Sequence, residues 1–124
     1  MDWKFNGTQP VYLQIMEKVR DAVLTGEFPP GSRVPSVREL AAQARVNPNT
    51  MQRALLELER EGVLAGGGTA GRCVSADAAI LEDLRQKAID RVTRHCAEQF
   101  AALGLSPRQA AQALLSLEEK EESV

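Results

Sequence analysis

The sequence predicts a mainly α-helical fold that contains one small β-hairpin. In five segments, apolar residues recur at steps of three and four positions, the spacing of a helix with one buried face. A glycine-rich stretch between two short apolar runs interrupts these segments, as a hairpin does. The chain has 124 residues, of which 44% are apolar and only 4% aromatic, so we expect one or two small domains with aliphatic cores.

The first predicted helix covers residues 11–25, between Pro10 and Gly26, which are residue types favoured at helix borders. Its inward positions are Tyr12, Ile15, Met16, Val19, Ala22 and Val23. The stretch that follows, "GEFPPGSRVP", is rich in glycine and proline and therefore predicts a break in regular structure.

Two further helices are predicted close together. Ser36 and Glu39 have the S-x-x-E spacing of a capping box, which opens a short helix over residues 36–43. Asn47 is a favourable N-cap and Pro48 suits the first helical position of a helix that ends near residue 60 or 61. The inward positions of this third helix are Met51, Ala54, Leu55 and Leu58.

The remainder of the chain is predicted to form a hairpin and two more helices. Residues 63–65 and 72–74 are the candidate strands. After residue 76 an apolar stripe continues for about 26 residues, and Ser106 with Pro107 then opens a last helix. We therefore predict one domain over residues 1–75 and a helical region over residues 76–124.

Charge is distributed unevenly along the chain. The net charge is −2, but residues 32–53 hold four arginines against Glu39 alone, which gives this segment +3. The C-terminal region carries the acidic excess, with a net charge of −3 over residues 76–124. A local positive face is compatible with DNA binding because phosphate contacts act over short distances.

The third helix has polar side chains where it is predicted to face outward. Two helices joined by a short turn, the second of them polar on its outer face, form a helix-turn-helix pattern, in which the second helix enters the DNA major groove. Amides suit an adenine edge, and arginine suits a guanine edge or a phosphate. The outward positions are Asn49, Thr50, Gln52 and Arg53. The glycine-rich hairpin would then be a wing beside the DNA backbone or the minor groove.

The segment "GEFPPGSRVPSVRELAAQARVNPNTMQRALLELEREGVL" resembles the winged helix-turn-helix of the GntR family of bacterial transcriptional regulators. The matching pieces are "PPGSRVPS", "RELA", "VNPNTMQRAL" and "LEREGVL", and the likeness covers about residues 10–75. The pieces "QPVYLQI" and "VNPNT", with the short helical tail, resemble the YtrA subfamily. The tail is too short for the large ligand-binding or aminotransferase-like domains of other GntR subfamilies.

The resemblance implies which residues contact DNA. Arg38 matches the family's DNA-contacting arginine at the start of helix two. The recognition-helix contact positions match Asn47, Asn49, Thr50 and Gln52. Gly67, Gly68 and Thr69 fall at the wing tip, which lacks the basic residues common in relatives and leaves Arg72 as its one cation. The complete set of predicted DNA-binding residues is Ser36, Arg38, Asn47, Asn49, Thr50, Gln52, Arg53, Gly67, Gly68, Thr69 and Arg72.

Several residues have two interpretations. Arg53 either contacts DNA or pairs with Glu57, four residues later on the helix. Arg33 and Arg45 are interpreted as phosphate-region or solvent residues rather than base readers. Cys73 and Cys96 are interpreted as small packing residues, with a thiol sensor as the alternative. Their spacing with His95 fits no metal site, and no cofactor is expected.

Two amphipathic C-terminal helices cannot bury both apolar faces within so small a chain, so we expect a homodimer. The predicted interface consists of Ile80, Leu84, Val92, Phe100, Leu103 and Leu114. The alternative is that the long helix packs on the first helix of its own chain.

The sequence thus favours a cytoplasmic, homodimeric repressor that binds an inverted-repeat operator in double-stranded DNA and is released by a small-molecule effector. A winged module that binds protein instead of DNA is the alternative. No membrane segment is expected, and the absence of a nucleophile–base pair, metal cluster or phosphate-binding loop argues against an enzyme.

Overall fold

The computed structural model describes residues 1–66 and 71–122 and divides the chain into two compact units, Met1–Arg85 and Gln86–Val124. The division lies beyond the predicted boundary at residue 75, because the first turns of the fourth helix contribute to the core of the first unit.

The predicted fold class, mainly α with a small hairpin, is confirmed. The helices are α1 (Val11–Leu24), α2 (Val37–Ala44), α3 (Pro48–Arg60), α4 (Ala78–Ala102) and α5 (Pro107–Glu122), and the strands are β1 (Leu64–Gly66) and β2 (Arg72–Val74). The starts of all five helices and the ends of the first four lie within about two residues of their predictions, a difference that is ordinary for frayed helix ends.

The core of the first unit is aliphatic and is built mainly by α1, α2 and α3. α1 packs along α3, and α2 crosses α3 at the helix-turn-helix. The predicted inward set of α3 is confirmed, since all four side chains are almost completely buried. The largest fully buried side chains are Ile15, Val19, Leu40, Met51, Leu55, Leu58, Leu64 and Val74.

Side-chain caps and a left-handed residue fix the turn between α2 and α3. The Ser36 hydroxyl accepts a hydrogen bond from the Glu39 backbone N–H at 3.1 Å, and the Glu39 carboxylate accepts one from the Ser36 backbone N–H at 3.4 Å, which completes the predicted capping box. Arg45 then adopts φ 57° and ψ 46°, an uncommon conformation for a residue with a side chain. This residue turns the chain sharply into α3.

The wing is an antiparallel hairpin with a third segment paired beside it. β1 and β2 pair in the register Leu64 with Val74 and Gly66 with Arg72. On the other side of β2, the Val34 N–H donates to the Arg72 carbonyl at 2.9 Å, so residues just before α2 anchor the wing to the helix-turn-helix. Gly66 has φ +95°, and a Cβ there would lie 2.8 Å from a backbone oxygen, so only glycine fits this position without distortion.

The beginning of α4 packs on the first unit. Leu84 is 7% exposed and belongs to the core cluster of that unit, so its burial needs no second chain. The prediction that placed Leu84 in a dimer interface is corrected accordingly. Ile80 is half-buried and lies over Gly62, where its Cδ1 would be 3.2 Å from a Cβ built at that glycine.

The second unit contains the remainder of α4 and all of α5. Ser106 caps α5 by accepting a hydrogen bond from the Gln109 backbone N–H at 3.2 Å. Most of the apolar side chains here are exposed, including Val92 at 60%, Leu103 at 76% and Leu114 at 52%, while Phe100 is half-buried. Among the described residues, no helix combines the length and the apolar character needed to cross a membrane.

Candidate nucleic-acid interface

The exposed face of α3 carries the predicted polar residues. Asn49, Gln52 and Arg53 are exposed and Thr50 is half-buried, opposite the fully buried face that begins with Met51. Within the described residues, the side-chain amides of Asn49 and Gln52 form no hydrogen bond with the protein. Their donors and acceptors are therefore available to a ligand outside the chain.

Two of the predicted contact residues also cap helices. The Asn47 carbonyl oxygen Oδ1 accepts a hydrogen bond from the Asn49 backbone N–H at 2.8 Å, and Ser36 belongs to the capping box of α2. In Asn47 the cap uses the oxygen and leaves the amide N–H groups free. Both residues therefore stabilise the helix ends that present the other candidate residues.

A cleft of about 590 Å³ lies between the start of α2 and the base of the wing. Arg33 and Arg38 both line it, and neither guanidinium forms an ion pair within residues 1–66 and 71–122. The Arg33 guanidinium rests against Gly71, where a Cβ would approach its Nε to 3.0 Å. Two unpaired cations at the start of α2 make this cleft favourable for a phosphate oxygen.

Arg72, the predicted cation of the wing, has an ionic partner within the chain. Its Nε donates to the Glu59 carboxylate in a partly buried ion pair between β2 and α3. Its guanidinium therefore holds the wing to α3, and its predicted contact with DNA stays a prediction. The predicted wing-tip contacts Gly67, Gly68 and Thr69 lie outside the described residues.

Arg53 does not pair with Glu57, which was one of its two interpretations. Glu57 instead binds Arg60, one turn later on the exposed side of α3. The guanidinium of Arg53 lies over the ring of Tyr12 in α1, with 3.7 Å between its Cζ and the ring centroid.

The sequence alone left the role of Arg33 open and did not identify Tyr12 as part of this surface. Arg33 was interpreted only as a phosphate-region or solvent residue, and helical spacing assigned Tyr12 to the core. Tyr12 is in fact half-buried, with its ring between the core and Arg53. The sequence does place Tyr12 in the first turn of α1. That position points to a contact with α3 only once α1 is known to pack along α3.

Residues 11–69 match the sequence model of a protein family, the bacterial regulatory proteins of the gntR family. A Bacillus subtilis protein named as the uncharacterized HTH-type transcriptional regulator YhcF is 36% identical over 109 residues, which cover 88% of this chain and 90% of that protein. The HTH-type transcriptional repressor YtrA of the same organism is 48% identical over 63 residues, which cover 48% of each chain.

Solved structures show the same fold. A GntR family transcriptional regulator from Listeria monocytogenes superposes with a TM-score of 0.78 and 28% identity, over 94% of this chain and 98% of that one. The DNA-binding domain of AraR in complex with an operator matches with a TM-score of 0.55 and 26% identity, over 58% of this chain and 93% of that one. The chain therefore belongs to the GntR family of bacterial regulatory proteins, and it is a transcriptional regulator whose DNA-binding element is the winged helix-turn-helix described above.

Proposed function

We propose that this protein is a homodimeric repressor that recognises an inverted repeat in double-stranded DNA through the exposed face of α3. The observation that carries the proposal is the set of unpaired polar groups in the helix-turn-helix unit: the amides of Asn49 and Gln52 on the exposed face of α3, and the cations of Arg33 and Arg38 in the cleft at the start of α2. A surface helix needs only solvation, whereas base edges need donors and acceptors of this kind.

The two groups of residues have different tasks in this proposal. The N-terminal half of α3 enters the major groove, where Asn49 and Gln52 each face a base edge and set the preferred sequence. Arg38 and Arg33, in the cleft at the start of α2, bind phosphate oxygens, which fixes the orientation of the protein but adds little sequence preference. The wing is held close to the helix by Arg72 and Glu59 and supports the same face.

Dimerisation is proposed from the second unit. Its exposed apolar residues lie on both α4 and α5, and leaving so many in water is unfavourable. A second copy of the chain, related by a two-fold axis, would cover them and place two recognition helices on the two halves of an inverted repeat. The interface residues proposed are Val92, Phe100, Leu103 and Leu114, with Ile80 at its edge.

Repression and its release are proposed on separate grounds. The relative YtrA is named as a repressor, and occupation of a promoter by a dimer blocks transcription without any further activity. A small-molecule effector would release the DNA by binding more tightly to a dimer whose two winged units are spaced unfavourably for the repeat. Such an effector would bind in the second unit or between the two copies.

Selection of duplexes from a random library by the full-length protein tests the proposal. We expect an enriched inverted repeat for the wild type. Asn49→Ala should lose the preference at one base pair of each half-site, a discrimination of about 1–3 kcal/mol, while Arg38→Ala should weaken all duplexes similarly. Gln43→Ala, which changes an exposed amide near the other end of α2, is the matched control and should select the wild-type motif.

Two results would contradict the proposal. The first is a wild-type protein that enriches no motif and binds no duplex at low salt. The second is an Asn49→Ala variant that selects the same motif, with the same preference at every position, as the Gln43→Ala control; this would remove α3 from base recognition.

A further inference from the structure

The stacking of Arg53 on Tyr12 joins two helices at the surface. The Cζ of Arg53 is 3.7 Å from the ring centroid of Tyr12, well inside the distance of about 6 Å at which a cation and an aromatic face attract each other. Tyr12 is half-buried against the core, so its ring is a fixed platform, whereas Arg53 is exposed. The contact therefore restricts a long side chain that would otherwise move freely in solvent.

The stacked arginine has no partner for its charge. Within residues 1–66 and 71–122, Arg53 forms no ion pair and no hydrogen bond, and the nearby Glu57 is occupied by Arg60. Stacking uses the flat face of a guanidinium and leaves its N–H groups pointing outward in the plane. This is the orientation in which arginine grips a phosphate with two parallel hydrogen bonds.

The position of the pair on the molecule indicates which ligand it meets. Arg53 follows Asn49 by four residues and so lies one turn further along the same face of α3. α1 and α3 run side by side in the same direction. Tyr12 at the start of α1 lies beside Arg53 in the middle of α3, and Arg20, further along α1, binds Glu61 just beyond the end of α3, with 3.0 Å between Nε and Oε2. Tyr12 therefore lies beside the half of α3 that carries the exposed amides.

We propose that Arg53 binds a backbone phosphate next to the bases that α3 reads, and that Tyr12 is the positioning residue that holds its guanidinium for this contact. The inference rests on the proposed DNA binding and adds to it a phosphate contact anchored in α1. Tyr12 acts through the face of its ring, and its hydroxyl is not needed. The contact strengthens binding to every duplex and contributes little to base preference.

The dependence of DNA affinity on salt tests the role of Arg53. Full-length protein is titrated at several salt concentrations with the selected inverted repeat and with a scrambled duplex of the same length. Arg53→Gln should lower the slope of log K against log salt by about 0.9 for each half-site and weaken both duplexes by a similar factor. Arg53→Lys keeps the charge but not the planar stack, so it should retain the slope and lose about two- to fivefold in affinity.

A double-mutant cycle tests the role of Tyr12. Tyr12→Phe should bind DNA like the wild type, whereas Tyr12→Leu should weaken binding about two- to fivefold. In the Arg53→Gln background, Tyr12→Leu should cause no further loss, because the group that it positions is gone. Thermal unfolding of each variant without DNA separates this effect from a loss of folded protein.

The outcomes distinguish this inference from the proposed function. If Tyr12→Leu weakens binding equally with and without Arg53, or if Tyr12→Phe is as weak as Tyr12→Leu, Tyr12 does not act by positioning Arg53. An unchanged salt slope in Arg53→Gln, with normal DNA binding by the wild type, rejects the phosphate contact alone. Failure of the wild type to bind any duplex rejects DNA binding itself.

Discussion

The two units of this chain differ in how deeply their apolar side chains are buried. In Met1–Arg85, leucine, isoleucine and methionine side chains from three helices and the wing are completely buried in one cluster. In Gln86–Val124, the leucines of α5 and Val92 of α4 are half exposed or more, and Ala110 is the one apolar side chain that is buried within the described residues. Both units are helical, so helix formation alone does not produce a core.

The difference follows from how the helices are arranged. Three helices that cross at short turns bring their apolar faces together, and the hairpin and the start of α4 cover the sides that remain open. Two helices joined by a short loop can at most cover one strip of each other, so their outer apolar residues need another surface. The first unit therefore has a closed core with a polar outer face, whereas the second leaves apolar side chains exposed, at the positions where we propose a dimer interface.

The largest expected effect concerns the core of the first unit. Leu58→Ala, at a position that is 0% exposed, should lower the free energy of unfolding by about 2–5 kcal/mol, because it leaves a cavity among Leu, Ile and Met side chains. The matched control is Leu56→Ala on the same helix, at 39% exposure, which should change stability by about 0.5 kcal/mol or less. Denaturant unfolding of both variants gives the two values.

This pair of variants checks the assignment of the two faces of α3. Similar losses from Leu58→Ala and Leu56→Ala would mean that the supposedly exposed face is also packed, and the contrast between a buried and a DNA-facing side would fail.

The second expected effect concerns the partner of the second unit. Leu114→Lys places a charge where we propose an apolar interface, so the dissociation constant of the dimer should rise at least about tenfold, which corresponds to about 1.4 kcal/mol. Gln112→Lys adds the same charge at an exposed polar position on roughly the opposite face of α5 and should leave the dimer intact. Sedimentation at several protein concentrations measures both.

The Leu114→Lys variant also distinguishes the role of the second unit from the folding of the first. The Leu114→Lys protein should keep the unfolding transition of the first unit while it loses affinity for a complete inverted repeat more than for a single half-site. A wild-type protein that sediments as a monomer at every concentration, or a Leu114→Lys protein that dimerises like Gln112→Lys, would mean that the apolar face has another use.

The sequence predicted the elements of this fold well because their signals are local. Ser36 with Glu39, Asn47 with Pro48, and Ser106 with Pro107 each specify a helix start within four residues, through hydrogen bonds that the structure contains. The buried face of α3 could be predicted equally well, since residues four apart on a helix lie on the same side. These features needed no knowledge of the rest of the chain.

The features that the sequence did not predict depend on contacts between distant elements. Glu59 and Arg72 are 13 residues apart in the chain and become an ion pair only when β2 returns to α3. Tyr12 and Arg53 meet only because α1 runs along α3. Leu84 lies on the apolar stripe that was predicted to form a dimer interface. In the structure, its side chain is buried in the core of the first unit. The periodicity of apolar residues indicates that a side chain is buried. It does not indicate whether the side chain is buried by the same chain or by a second one.

The smallest expected effect on stability separates folding from DNA binding at a single residue, Asn47. Asn47→Ala removes the cap of α3 and should lower the free energy of unfolding by about 1 kcal/mol. Asn47→Asp keeps an oxygen at the same place, and a negative charge is favourable at a helix start, so its stability should equal or slightly exceed that of the wild type. Thermal unfolding without DNA should therefore rank Asp above Ala.

DNA affinity should rank the same two variants in the opposite order. Both substitutions remove the amide donors, but only aspartate brings a negative charge to a surface that we propose lies against phosphates. Asn47→Asp should therefore bind the selected duplex more weakly than Asn47→Ala, and the difference in affinity should narrow as salt rises. Sedimentation should be unchanged in both, because Asn47 lies in the first unit. Affinities that instead follow the order of stability would show that Asn47 serves the fold alone, and the polar face of α3 would then begin at Asn49.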